Sequence, residues 1–157
     1  MTLVGFSGSG KSTVGRILSM RLKWPFKDTD ALIEDRQGCP LAECFAKLGE
    51  QAFRELERRM ILSTPDEGKR VLALGEGGFN DETIPTVDRL GPTIHLDLSF
   101  EEARRRMGRG HSRRLASDPE LFGLFIRRKR WYGRARYRVW TDGLTVDEVV
   151  DAILRLI

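Results

Sequence analysis

Residues 5–12 read G-F-S-G-S-G-K-S, and no other stretch constrains the fold of this chain so tightly. They match G-x-x-x-x-G-K-[ST] and lie between an apolar run at residues 1–6 and a segment in which Val14, Ile17, Leu18 and Leu22 recur at helical spacing. A strand, a glycine-rich turn and a helix in that order make a phosphate cradle. The turn aims consecutive backbone N–H groups inward, the helix adds the positive end of its dipole, and the Lys11 ammonium reaches the β and γ oxygens of a nucleoside triphosphate. The expected nucleotide-binding residues are therefore Gly8, Ser9, Gly10, Lys11, Ser12 and Thr13, with the Ser12 hydroxyl on Mg²⁺. The cradle does not identify the acceptor, because ATPases, GTPases and small-molecule kinases all use it.

Further apolar runs at residues 71–74 and 93–98, with weaker candidates at 24–28 and 137–141, bring the expected strands to about five, each separated by helical sequence. Ser99 with Glu102 and Thr145 with Glu148 match the capping box that opens a helix. After Thr145, the residues Val146, Val149, Val150, Ile153, Leu154 and Ile157 form one apolar stripe. Alternating strands and helices predict an α/β protein of three layers, a parallel sheet covered by helices on both faces, with ligands beyond the carboxyl ends of the strands. A chain of 157 residues, 40% hydrophobic, buries one sizeable core, so residues 1–157 are read as a single domain. Residues 106–118 are polar, contain glycine and lack a sustained apolar period, and they are read as a mobile lid.

The formal net charge is +4 and arginines crowd residues 104–138, a field that attracts nucleic acid, a membrane surface or a small anionic ligand. No stretch approaches the ~18 apolar residues of a membrane span, and residues 1–6 lack the charged start of a secretory signal. The chain is read as cytoplasmic. Cys39 and Cys44 lie five apart without metal-like spacing and are read as small buried residues.

Asp28 and Asp30 follow the second strand candidate, so they stand near the cradle. One is expected to face the metal and the other the acceptor, with a helix cap as the alternative for Asp30. These residues belong to a longer pattern: G-F-S-G-S-G-K-S-T-V-G-R at 5–16, D-T-D at 28–30, G-E-Q-A-F-R-E-L-E at 49–57, a glycine-rich turn after Leu74, R-R-L at 113–115, and the Arg128/Tyr132 pair. In that order, and over nearly the whole chain, the pattern resembles the shikimate kinase family. The resemblance implies a P-loop kinase fold with an acceptor-binding helical region over residues 30–62. Its co-substrates would be ATP and shikimate or a similar acceptor, its cofactor Mg²⁺. Neither nucleic acid nor membrane is expected as a partner, and the chain is expected to act as a monomer in aromatic amino-acid biosynthesis.

By the same resemblance, Asp28 helps Ser12 hold Mg²⁺, while Asp30 binds or deprotonates a ring hydroxyl. Arg54 and Arg128 clamp the shikimate carboxylate, Gly75 and Gly77 approach the substrate, Arg113 closes over the phosphates and Arg106 covers the adenine. Planar guanidiniums with paired donors suit a carboxylate better than lysines do. Glu57 is placed one helical turn from Arg54 and is expected to hold it. Lys11, Asp30 and Arg113 would carry the chemistry.

Three positions depart from the family pattern. Glu76 interrupts three consecutive glycines, Ser7 stands where a methionine is usual, and Arg114 where proline is usual. Glu76 is expected to turn to solvent and leave the backbone in service, with Gly77 and Gly78 able to shift the register by one. Two other readings remain at this point: a same-fold kinase with another polyol or hydroxy-acid acceptor, and a nucleotide-binding module without kinase activity.

Overall fold

The computed structural model describes residues 1–66, 68–111 and 118–157. Five strands, β1 (Thr2–Val4), β2 (Phe26–Asp28), β3 (Val71–Ala73), β4 (Thr93–Asp97) and β5 (Tyr137–Trp140), alternate with helices and pair only in parallel, in the order β2-β3-β1-β4-β5. The helices are α1 (Lys11–Leu22), α2 (Thr29–Gln37), α3 (Leu41–Leu62), α4 (Ile84–Arg89), α5 (Phe100–His111), α6 (Asp118–Tyr132) and α7 (Val146–Leu154). Each weak strand candidate is a strand, trimmed by one or two residues where its ladder ends.

Strand side chains alternate between two cores, which is why the runs read as continuously apolar. Leu3, Val71, Ile94 and Leu96 face α1 and α7, meeting Val14, Leu18, Val149, Val150 and Ile153. Val4, Leu72 and Leu98 face the other way, towards Ile61, Ala103, Leu121, Phe125 and Tyr132 on α3, α5 and α6. A third cluster, Ile33, Cys44 and Phe53, joins α2 to α3. Cys44 is buried and Cys39 half-buried, both as free thiols. No helix among the described residues is long and apolar enough to cross a membrane.

Two local expectations are corrected. Thr145 and Glu148 form the full capping box on α7, but at Ser99 only half exists. Glu102 N–H donates to Ser99 Oγ (3.1 Å), while the Glu102 carboxylate is taken by Arg105 and Arg106 and the Ser99 N–H turns to Asp142. The lid does not begin at residue 106 either, since α5 continues to His111 with a break at Gly108 (φ 61°). A Glu102–Arg106 ion pair at 2.6 Å across one turn and the packing of Met107 on the core carry the helix past Arg106. The rest of the expected lid, residues 112–117 with Arg113 and Arg114, lies outside the described residues.

A charged seam closes the sheet near the site. The buried Asp97 carboxylate accepts from Leu98 N–H (2.9 Å) and pairs with Arg138 (2.6 Å) and Lys129 (3.2 Å). His95 Nε2 stands 3.6 Å from Asp97 Oδ1, with its ring against Tyr132. Burial pushes the imidazole pKa from 6.5 down to about 4; Asp97 opposes this shift, while Arg138, Lys129 and Lys11 reinforce it.

A folded-state pKa below the unfolded one means that unfolding takes up a proton. Stability from neutral His95 is complete above pH 6.5 and falls as pH drops towards 4. The urea midpoint should therefore decline between pH 6.5 and 5, above the range where Glu55 and Glu102, both held near 2 by arginines, begin to act. His95→Gln should flatten that decline; equal slopes in the two proteins would rule out His95 as its source.

Candidate active site

β1 is central, so the loop after it opens at the crevice where connections leave the sheet in opposite directions. Gly10 caps α1 at φ 90°, a backbone shape that L side chains rarely adopt, and no side chain caps the helix. The first-turn N–H groups stay available to phosphate. Lys11 Nζ donates to the carbonyls of Gly5 (2.8 Å) and Phe6 (3.1 Å); burial lowers its pKa while Asp30, Glu76, Asp28 and Glu57, in that order, hold it up. A cavity of about 780 Å³ contains the cradle residues Gly8, Ser9, Gly10, Lys11, Ser12 and Thr13 together with Asp28, Asp30 and Arg106.

Residues two apart on a strand share a face, yet Asp28 and Asp30 point apart. They separate because β2 ends at Asp28 and α2 begins at Thr29. Asp28 is the helix cap in place of Asp30: its Oδ1 accepts from Asp30 N–H (3.0 Å) and its Oδ2 from Ser12 Oγ (2.6 Å). Asp30 turns instead towards Gly75.

The turn after β3 is the second wall. Gly75 N–H donates to Thr29 Oγ1 (2.7 Å), and Tyr132 Oη donates to the carbonyl of Glu76 (2.7 Å). A side chain at Gly75 would collide with Asp30 Oδ1 and come within 2.5 Å of Glu57 Oε1; one at Gly77 would collide with Arg54. Bare backbone is thus required where Asp30, Glu57 and Arg54 converge. No register shift by Gly78 is needed.

Glu57 is 2% exposed and accepts from Arg54 Nη1 at 2.9 Å, the tether that the (i, i+3) spacing suggests. Arg54 and Arg128 share a second cavity, of about 640 Å³, with Glu57, Gly77 and Trp131. Arg128 is buried under the Trp131 ring, 5.3 Å from its centroid. The Nε atoms of Arg54 and Arg128 are both buried without a hydrogen-bond partner.

Arg106 projects from α5 rather than from a loop, donating to Glu102 (2.6 Å) and to the Thr141 carbonyl (2.9 Å) at the edge of the nucleotide cavity. Glu76 does not turn to solvent. Its Oε2 accepts from Ser7 Oγ at 2.5 Å, because Ser7 supplies a hydroxyl donor there. Sequence reasoning gave no task to Thr29 or Tyr132. Thr29 lies inside D-T-D, and Tyr132 follows Arg128 by one helical turn, but their partners are distant in sequence.

The shikimate kinase family model matches residues 7–157. A shikimate kinase of Sulfurihydrogenibium sp. (strain YO3AOP1) is 37% identical over 155 residues, covering 97% of this chain and 93% of the relative. The solved shikimate kinase of Aquifex aeolicus is 33% identical with a TM-score of 0.84, covering 99% of this chain and 93% of its own. That of Acinetobacter baumannii, solved in complex with shikimate, is 29% identical with a TM-score of 0.91, covering 99% and 90%. With that match over nearly all of its length, and with the cradle, the D-T-D junction and the glycine turn folded against one another, the chain belongs to the shikimate kinase family.

Proposed function

We propose that this chain transfers the γ-phosphoryl group of ATP to a ring hydroxyl of shikimate, giving shikimate 3-phosphate and ADP. One observation carries the choice of acceptor. Two guanidiniums, Arg54 and Arg128, line one cavity together with Glu57, Gly77 and Trp131, and each keeps a buried Nε–H without a partner. A buried donor without a partner is costly, and a carboxylate that takes both guanidiniums at once removes that cost. The acid group of a carbocycle held there directs its hydroxyl-bearing edge towards Gly75 and Asp30.

The cradle N–H groups and Lys11 hold the phosphates and stabilise charge on the transferring oxygens. Asp30 accepts the hydrogen bond of the attacking hydroxyl and orients or deprotonates it. Glu57 keeps Arg54 in place, and Thr29 and Tyr132 keep the turn in place. Arg106 borders the adenine end of the cavity. Arg113, outside the described residues, is assigned to the phosphates by its match to the family's lid arginine.

Ser12 and Asp28 fit Mg²⁺: a hydroxyl and a carboxylate, both hard oxygen donors, stand 2.6 Å apart at the foot of the cradle, and this cation takes one or two such groups beside phosphates and water. Bound there, the ion neutralises charge on the β and γ oxygens.

ADP release from Mg-ATP, measured with shikimate, quinate, gluconate and no acceptor, tests the proposal. Release that depends on shikimate alone is expected; dependence on another acceptor, or on none, would overturn the substrate. Lys11→Ala should lower turnover by roughly 10³-fold or more. Arg128→Ala removes one partner of a buried, charged contact, worth about 2–5 kcal/mol. It should raise the KM for shikimate ~30-fold or more while that for ATP changes little. A parallel rise in both constants would place Arg128 outside the acceptor clamp.

A further inference from the structure

Glu76 is the carboxylate of the site to which this reaction gives no task. It stands between Gly75, against Asp30 and Glu57, and Gly77, against Arg54 and Glu57. Tyr132 holds its carbonyl, and its side chain leaves the turn towards the phosphate cradle, where Ser7 Oγ donates to Oε2. Ser7 lines the nucleotide cavity with Lys11 and Asp30, while Gly77 lines the acceptor cavity with Arg54 and Arg128. The Ser7–Glu76 hydrogen bond therefore spans the junction of the two cavities, where a γ-phosphoryl group and a hydroxyl must meet. The charges agree with this position, for Glu76 acts on Lys11 more strongly than Asp28 or Glu57 does.

A carboxylate accepts hydrogen bonds and donates none. Ser7 occupies Oε2, and among the described residues no donor reaches Oε1. That oxygen is therefore available to a donor from the substrate.

We propose that Glu76, fixed by Ser7, determines specificity in the acceptor site. Its second oxygen takes a hydrogen bond from a ring hydroxyl next to the one phosphorylated. The chain then selects carbocyclic acids with vicinal hydroxyls and rejects those carrying only the reacting one. The inference rests on the carboxylate clamp of Arg54 and Arg128, which turns the hydroxyl-bearing edge towards Asp30 and Glu76. A site built to bond a substrate hydroxyl discriminates strongly against the analogue that lacks it, because its own buried group is then left unpaired.

Steady-state ADP release and calorimetric binding, with shikimate and with its 4-deoxy and 5-deoxy analogues, test this in wild type, Glu76→Gln, Glu76→Gly and Ser7→Ala. Wild type should prefer shikimate over the 4-deoxy analogue by about 10²-fold in kcat/KM, and the 5-deoxy analogue, which keeps the vicinal hydroxyl, should lose far less. Glu76→Gly should reduce that preference at least tenfold with the KM for ATP unchanged. Glu76→Gln keeps one acceptor oxygen and Ser7→Ala keeps the carboxylate, so both should fall between. Thermal melts confirm that each variant is folded, and the isosteric Glu76→Gln decides if the glycine variant is not. If wild type uses shikimate and the preference survives loss of the carboxylate, the inference falls and the function stands. If wild type is silent with shikimate but Glu76→Gly uses it, the function falls and Glu76 remains the determinant, set for another hydroxy acid. Silence in both removes both.

Discussion

The acceptor half of the site depends on the bare backbone of residues 75–77. Asp30 from α2, Arg54 and Glu57 from α3, and Tyr132 from α6 all reach it, and none of these helices is adjacent to another in the sequence without a strand or loop between. Side chains at Gly75 and Gly77 would occupy the volume that Asp30, Glu57 and Arg54 fill. The convergence is possible because β3 ends there beside β1 and β2, aligned by its parallel pairing with both. Two hydrogen bonds, from Gly75 N–H to Thr29 and from Tyr132 to the Glu76 carbonyl, fix the turn between the two cavities.

The same geometry explains the concentration of buried charge. Lys11 is surrounded by Asp28, Asp30, Glu57 and Glu76, which offset the desolvation of its ammonium. Three of these carboxylates hold hydrogen bonds of their own: Asp28 with Ser12, Glu57 with Arg54, and Glu76 with Ser7. Arg54 and Arg128 each keep a buried Nε–H without a partner. The protein thus balances the charge around Lys11 and leaves two buried guanidinium donors without a partner.

The phosphate cradle, five strands, the terminal amphipathic helix and the Arg54–Glu57 tether were legible in the residues because each depends on neighbours within about one helical turn. The capping of Ser99 was misread because Arg105 and Arg106 compete for the Glu102 carboxylate. The start of the lid was misplaced because helix continuation past Arg106 relies on Met107 packing against a distant core. Asp28 rather than Asp30 caps α2, since a strand gives way to a helix between them, a boundary that periodicity does not locate to the residue.

The sequence by itself determined where phosphate binds, because backbone shape and helix dipole are local properties of residues 5–12. It also determined which arginines and carboxylates were available. Only the tertiary structure decided what they face. Ser7 and Glu76, separately two departures from a family pattern, are 69 positions apart and joined by one hydrogen bond. That pairing arises from the parallel alignment of β1 with β3, a long-range contact that no local spacing encodes.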